Sequence, residues 1–190
     1  GEDKDLITDY ASKGAEKIKQ YMEMSNEEKA KADVNGILKD FMKEYNILYT
    51  TDNNYFIHML TSIYSLIENN KDIFLNINII EDNLEEINKK RLYLLTEIYK
   101  NIKINIYSIK LIEKNINRYN IPKWRNTNIA NARLFANEII KCDELLYLDS
   151  DTIIVNSLKN VYNIGKGPIS AVKDIIIPDY LKNEISNYFN

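Results

Sequence analysis

The sequence contains few of the residues that define disulfide-rich, histidine-rich or membrane-spanning proteins. It has one cysteine and one histidine among 190 residues. Cys142 cannot form an internal disulfide, and its apolar neighbours predict a small core residue in a reducing compartment. His58 lies among apolar residues, which favours a packed neutral imidazole over a metal ligand. No apolar run approaches the roughly 18 residues of a spanning helix, and no signal-peptide pattern opens the chain, so we expect a cytoplasmic location.

Basic residues are not in excess, and glycine and proline are scarce. The net charge is −3 at pH 7, which argues against broad binding of nucleic acid through its phosphates. With five glycines in the chain, no segment resembles GxGxxG or a phosphate-binding P-loop. A composition of 45% hydrophobic and 28% charged residues is that of an ordinary globular domain with one sizeable core.

The first 45 residues are predicted to form a helical pair. They are rich in Lys, Glu, Ala and Met, contain no proline and show no strand pattern. The segment 25–28 reads Ser-Asn-Glu-Glu, a capping box that predicts the start of the second helix. The apolar stripes of the two helices either pack on the following domain, mediate self-association or belong to a preceding domain.

From residue 46 onward, short strands alternate with longer helices. Strands are predicted at 47–51, 73–80, 102–106 and 145–148, and helices at 55–69, 83–99 and 127–140. The segment 111–120 is ambiguous. This alternation predicts an α/β fold with a mostly parallel, Rossmann-like sheet flanked by helices.

Polar side chains follow two of the predicted strands. The segment Thr50–Tyr55 contains turn-forming residues after the first strand, and Asp149 and Asp151 follow the last one. Because ligands bind beyond the carboxyl ends of parallel strands, both segments are expected on the same edge. The two aspartates either bind a divalent cation or form an Asp-rich turn between two strands.

The segment from residue 46 to residue 190 resembles glycosyltransferase family 8, whose members are retaining, metal-dependent enzymes of the GT-A fold that use UDP-sugars. The resemblance lies in three motifs that occur in order: NILYTTDNNY at 46–55 with SIYSL at 62–66, then NARLF at 131–135, then YLDSD at 147–151. A glycosyltransferase domain is therefore expected at 46–190, after the helical segment 1–45. Three ordered motifs are more specific than one short acidic motif.

The resemblance implies a role for individual residues. Asp52 and Asn54 would hold the uracil and ribose, with Tyr55 near the base, and Thr50 and Asn53 would belong to the same donor site. Arg133 would meet the sugar and diphosphate, and Ser150 would lie against the ribose. Asp149 and Asp151 would bind Mn²⁺ or Mg²⁺. Taken without the resemblance, Asp52 and Asn54 are equally well explained as helix caps, and Arg133 as a surface residue in a salt bridge.

The implied reaction is transfer of a hexose from a UDP-sugar to a hydroxyl of a glycan or protein, with retention. No side-chain nucleophile stands out, so the catalytic residue is unknown, as are the donor sugar and the acceptor. Family members continue past this point with further donor-site and metal-binding segments, and Asn190 would be the last recognisable site residue. The C-terminal part of the family fold is thus expected to be missing, and weak UDP binding with little transfer is predicted.

Two rival interpretations remain open. A nucleotidyltransferase also places carboxylates on a metal ion, but it would need a glycine-rich loop that the segment 50–55 lacks. A catalytically incomplete nucleotide-binding or assembly module would instead act through the N-terminal helices.

Overall fold

The computed structural model describes residues 2–23, 25, 44–123, 127–163 and 169–171. The chain divides into two compact units, residues 1–159 and 160–190. Nearly all described residues belong to the first unit, and the account below concerns that unit. The predicted second N-terminal helix and Asn190 lie outside the described residues.

A long first helix, α1 (Glu2–Glu23), confirms one half of the predicted helical pair. It packs against two later helices, α2 (Phe56–Glu68) and α3 (Glu86–Ile98). Gly14 lies so close to α2 that a Cβ atom there would be 3.2 Å from the ring of Tyr64. This close approach indicates that α1 packs on the domain, the first of the three interpretations above, whereas self-association stays a prediction.

The sheet is parallel throughout the described part of the chain. Its strands are β1 (Glu44–Asp52), β2 (Phe74–Asp82), β3 (Ile102–Ser108) and the short β4 (Leu146–Tyr147), in the order β3-β2-β1-β4. In register, Asp52 of β1 lies opposite Asp82 of β2, and Leu48 lies opposite Tyr147 of β4. The predicted α/β fold with a mostly parallel sheet is confirmed.

Each face of the sheet is covered by different elements. The crossover helices α2 and α3 cover the face that carries Tyr49, whose hydroxyl is 2.9 Å from Ser62 Oγ of α2. The other face packs against α4 (Glu113–Arg118), α5 (Ala136–Ile139) and two 3₁₀ helices, Ile109–Leu111 and Ile129–Phe135. Its core includes Leu48, Ile80, Ile112, Ile116, Ala132 and Phe135.

The helix predicted over 127–140 differs from the observed structure. Within this range, the seven residues Ile129–Phe135 form a 3₁₀ helix, and only Ala136–Ile139 are α-helical. The buried residues Ile129, Ala132 and Phe135 are spaced three apart. That spacing lines one face of a helix with three residues per turn, so burial on the sheet favours the tighter winding.

Three smaller expectations are wrong. Thr152–Val155, the β-branched run after the aspartates, forms no strand, so the pair is not a turn between two strands. Cys142 is exposed rather than in the core, because the chain turns at the surface just before β4. His58 is exposed on α2, where its ring tilts against Tyr55 with centroids 5.8 Å apart.

No helix in the described ranges is both long enough and apolar enough to span a bilayer.

Candidate functional site

The strand order reverses at the junction of β1 and β4, which is where a parallel α/β sheet is expected to form a cleft. From β1 the chain crosses over to β2 and then β3 in one direction, and it returns to form β4 on the opposite side of β1. Flanking elements therefore diverge at this junction, and parallel α/β sheets bind ligands where the strand order reverses. Both polar segments identified in the sequence lie at the carboxyl end of this junction.

At the end of β1, Asp52 organises the turn into α2. Its Oδ1 accepts the backbone N–H groups of Asn54 and Tyr55 at 2.9 and 3.0 Å. The Nδ2 of Asn54 also lies 3.4 Å from Asp52 Oδ2. The turn leaves Asn54 exposed and Tyr55 39% exposed, so both side chains are accessible at the edge of the sheet. Asp52 thus holds the turn that precedes α2, whose N-cap residue is Tyr55, and it lies beside the cleft.

Asn53 of the same turn is directed to a different loop. Its Nδ2 donates to the carbonyl of Asn83 at 2.8 Å, and its Oδ1 accepts the N–H of Glu85 at 2.9 Å. Asn88 Nδ2 is a third partner at 3.3 Å from that Oδ1. The side chain therefore ties the β1–α2 turn to the start of α3.

The end of β4 is fastened to β1 by two hydrogen bonds. The N–H of Leu148 donates to the carbonyl of Leu48 at 3.0 Å. The hydroxyl of Ser150, which is only 8% exposed, donates to the carbonyl of Thr50 at 2.8 Å. These bonds place the Asp149–Asp151 turn directly beside the end of β1, so the structure brings the two predicted segments together.

Arg133 and Asp149 form an ion pair in this cleft. Arg133 reaches it from the 3₁₀ helix Ile129–Phe135, and its Nη1 lies 3.3 Å from Asp149 Oδ1. The guanidinium also lies over the ring of Tyr147, with 4.7 Å between Cζ and the ring centroid. Both charged side chains are substantially exposed, at 40% and 59%, so the pair itself contributes little to stability.

Tyr147 lies in the acidic motif, but no role for it was predicted from the sequence. Its hydroxyl donates to Asp149 Oδ1 at 2.7 Å, and Thr50 Oγ1 is 3.5 Å away. Burial, reinforced by the hydrogen bond to Asp149, raises the pKa of Tyr147 to about 12, so the phenol stays a donor at neutral pH. The sequence signal for this contact was the spacing of Tyr147 and Asp149, because side chains two residues apart in an extended segment point to the same side.

The turn that carries the aspartates is closed by Thr152, whose N–H and hydroxyl both donate to the carbonyl of Asp149 at 3.2 and 2.8 Å. Asp151 is exposed on this turn. Among the residues that the structure describes, no donor contacts the Asp151 carboxylate or Oδ2 of Asp149. Uncommitted carboxylate oxygens suit a hard divalent cation that completes its shell with water or phosphate. No group of three or more His, Cys, Asp or Glu in the described ranges is arranged around a metal position.

A row of polar side chains on α2 holds the chain that follows the aspartates. Ser62 Oγ is 3.2 Å from Thr152 Oγ1, and Ser65 Oγ accepts the N–H of Ile154 at 2.9 Å. The Nδ2 of Asn69 donates to the carbonyl of Ile154 at 2.9 Å. The two serines are buried, and their spacing of three on one helix was the sequence signal for this role.

Comparison with known proteins gives a consistent result. The profile of Glycosyl transferase family 8 matches residues 46–190. A curated relative, Glycosyltransferase GlyD of Streptococcus pneumoniae serotype 4, is 29% identical over 137 residues. That match covers 67% of this chain and 15% of GlyD, so the chain spans a small part of that relative's length.

Solved structures share the fold. The apo structure of the bifunctional glycosyltransferase WbbM superposes with a TM-score of 0.58 at 24% identity, covering 72% of this chain and 24% of WbbM. Galactosyltransferase LgtC, solved with donor and acceptor sugar analogues, gives 0.52 at 21% identity, covering 64% and 43%. Mouse xyloside xylosyltransferase 1 gives 0.50 at 12% identity, covering 64% and 47%.

Proposed function

This chain belongs to glycosyltransferase family 8, and from that membership we propose that it binds the UDP part of a UDP-sugar together with a divalent metal ion. The observation that carries the proposal is the hydrogen bond from Ser150 to the carbonyl of Thr50, which joins the two polar turns at the point where the strand order reverses. A nucleotide diphosphate bound there would reach both turns at once.

The turn after β1 is proposed to hold the nucleoside. The exposed Asn54 offers amide donor and acceptor groups, and Tyr55 offers an aromatic ring at the edge of the sheet. The carboxylate of Asp52 fixes the backbone between them through its two accepted N–H groups. Asn53 contributes less directly, because its polar atoms are bonded to Asn83, Glu85 and Asn88.

The turn after β4 is proposed to hold the diphosphate. Asp149 and Asp151 would be the protein ligands of Mn²⁺ or Mg²⁺, which when bound neutralises negative charge on the diphosphate leaving group. Arg133 would add a guanidinium that can donate to a phosphate oxygen in a fixed geometry. Its position above the Tyr147 ring brings that charge to the same side of the cleft as Asp149.

For the whole protein, we propose transfer of a hexose with retention to a hydroxyl of a glycan or protein. No described side chain at the cleft is arranged as a nucleophile with a neighbouring base. Leaving-group stabilisation by charge therefore takes the place of covalent catalysis in this proposal.

Calorimetric titration of the chain with UDP, with and without Mn²⁺, tests the site. We expect Mn²⁺ to strengthen UDP binding in the wild type, and Asp149→Ala and Asp151→Ala each to abolish that gain, because each removes a carboxylate ligand. Asp143→Ala is the matched control, since it removes an exposed carboxylate that precedes β4 at the opposite edge of the sheet.

Binding that is unchanged in both site variants would refute the metal assignment. Equal losses in Asp143→Ala would show that net charge, rather than the site, governs binding. Circular dichroism of each variant separates loss of the site from loss of the fold.

A further inference from the structure

The side chain of Tyr147 contacts three polar side chains at the β1–β4 junction. Tyr147 lies opposite Leu48 in the sheet, and its ring is partly buried against the core that contains Leu48 and Phe135. Its hydroxyl reaches Asp149 at 2.7 Å and Thr50 at 3.5 Å, while Arg133 lies above the ring at 4.7 Å. Tyr147 therefore touches a proposed metal ligand and a proposed phosphate ligand with different parts of one side chain.

The direction of the hydrogen bonds follows from counting protons. A phenol has one proton to donate, and the shorter contact assigns it to Asp149 Oδ1. Thr50 then donates its own hydroxyl proton to the Tyr147 oxygen. Oδ1 of Asp149 receives both Tyr147 and Arg133, and in the described part of the chain Oδ2 receives no donor.

Because both donors contact Oδ1, they fix the side-chain torsion of the exposed Asp149 carboxylate. Asp149 is 59% exposed, and an unrestrained carboxylate at such a site would rotate and would present either oxygen to solvent. With Oδ1 held by two donors, Oδ2 is the oxygen that remains for a cation. Hydrogen bonds of this kind orient metal-binding carboxylates, and losing one typically lowers metal affinity about 10- to 100-fold.

We infer that Tyr147 is a positioning residue with two separate tasks: its hydroxyl orients Asp149 for the metal ion, and its ring supports Arg133 for the diphosphate. This inference deepens the proposed function and rests on it. The two tasks can be separated, because phenylalanine keeps the ring and removes the hydroxyl alone.

The test compares Tyr147→Phe with Tyr107→Phe, which removes a hydroxyl from another partly buried tyrosine packed on the same core. We measure Mn²⁺ binding by the loss of the free aqueous Mn²⁺ signal in electron paramagnetic resonance, and UDP binding without metal by calorimetry. Tyr147→Phe is expected to weaken Mn²⁺ binding about 10-fold and to leave metal-free UDP binding within about 2-fold. Tyr107→Phe should change neither.

A second background shows whether the hydroxyl acts through Asp149. In Asp149→Ala, the further change Tyr147→Phe should have no added effect on Mn²⁺, because the oriented group is gone. If Tyr147→Phe behaves like Tyr107→Phe while Asp149→Ala still removes metal binding, the inference is wrong and the proposed site stands. If Asp149→Ala leaves metal binding intact, the proposed function fails, and the inference fails with it.

Discussion

The carboxyl edge of the sheet carries acidic side chains at two neighbouring junctions, and the two junctions use them differently. At the β1–β2 junction, Glu81 is buried, and its Oε2 accepts the N–H of Leu84 at 2.6 Å. Asn53 is bonded to the same loop. At the β1–β4 junction, Asp149 and Asp151 are exposed, and within the described ranges Asp151 contacts no donor.

The difference follows from what comes after each strand. A crossover helix begins shortly after β1 and β2, and the first N–H groups of a helix or of the turn before it need acceptors. Polar side chains at those strand ends, such as Asp52, Asn53 and Glu81, supply them. In the described segment that follows β4, residues 148–157, no helix begins, so the aspartates there keep oxygens that can bind a ligand. Acidic residues at a sheet edge are thus better candidates for ligand binding where no helix follows.

The largest effect should come from removing the buried acceptor at the β1–β2 junction. Glu81→Ala leaves the N–H of the buried Leu84 without its acceptor and breaks the contact to Lys89 Nζ at 3.5 Å. Because the acceptor is charged and buried, we expect a loss of about 1.5 to 3 kcal/mol in the free energy of unfolding, measured with urea. UDP affinity should stay unchanged.

Glu81→Gln is the matched control, since its amide oxygen can still accept the Leu84 N–H, and it should recover most of the loss. Asp149→Ala provides the comparison at the β1–β4 junction, where we expect a stability change within about 0.5 kcal/mol. A destabilisation by Asp149→Ala as large as that of Glu81→Ala would remove the contrast between the junctions.

Asn53 and Asn54 test the contrast within one turn, because both were predicted to bind the donor. Asn53→Ala removes an acceptor from the N–H of Glu85 at the start of α3, and about 1 kcal/mol of stability should be lost, as for a helix cap. Among the described residues, the Asn54 side chain makes only a 3.4 Å contact, and it is exposed, so Asn54→Ala should leave stability unchanged and weaken UDP binding. Urea unfolding and calorimetry on the same samples separate the two effects.

If Asn53→Ala weakens UDP binding as much as Asn54→Ala without any loss of stability, then its contacts to the second loop are incidental. Asn53 would in that case act in ligand binding, as the residues of the β1–β4 junction are proposed to do.

Most of the sheet and its crossover helices could be predicted from the sequence, because strands 47–51, 73–80 and 102–106 and helices 55–69 and 83–99 each have a clear hydrophobic period. The observed β1 begins three residues before its predicted start and ends one residue later, and β2 and β3 each end two residues later than predicted, whereas β4 is one residue shorter at each end. The sequence between β3 and β4 was harder to interpret, since Ile129, Ala132 and Phe135 at spacing three fit a short helix of either kind. Tertiary burial, not local preference, decided that segment.

That the two polar turns share one edge of the sheet was predicted from the parallel strand pattern, whereas their direct contact and the partners of each side chain were not. Whether Asn53 faces the cleft or the neighbouring loop depends on where Asn83 and Glu85 lie, and no local pattern contains that distance. The same holds for Arg133 above Tyr147, which come from separate elements. Roles that require two distant residues to meet are therefore visible only in the folded chain.

The smallest predicted effect concerns Asp82, which lies opposite Asp52 across the β1–β2 junction. Burial, and then the nearby carboxylates of Glu81 and Asp52, raise the pKa of Asp82 above its usual value. The folded state thus holds this proton more tightly than the unfolded state does. The stabilising contribution is complete at low pH and is lost as the pH rises through the folded pKa. At pH 7 the charged Asp82 is therefore a modest cost, and Asp82→Asn should raise the midpoint of urea unfolding.

The gain in stability from Asp82→Asn should shrink as the pH is lowered from 7 toward 4, because the Asp82 carboxyl of the wild type then becomes protonated. Asp72→Asn gives the opposite sign for comparison. Lys159 lowers the pKa of Asp72 through a hydrogen bond, so Asp72 stabilises the fold above its unfolded pKa, and its removal should cost stability at pH 7. If Asp82→Asn instead destabilises the chain at pH 7, then the hydrogen bond that Asp82 Oδ1 accepts from Asn83 Nδ2 at 2.9 Å outweighs the cost of the charge. The β1–β2 junction would in that case use all of its carboxylates, which would sharpen its contrast with the turn after β4.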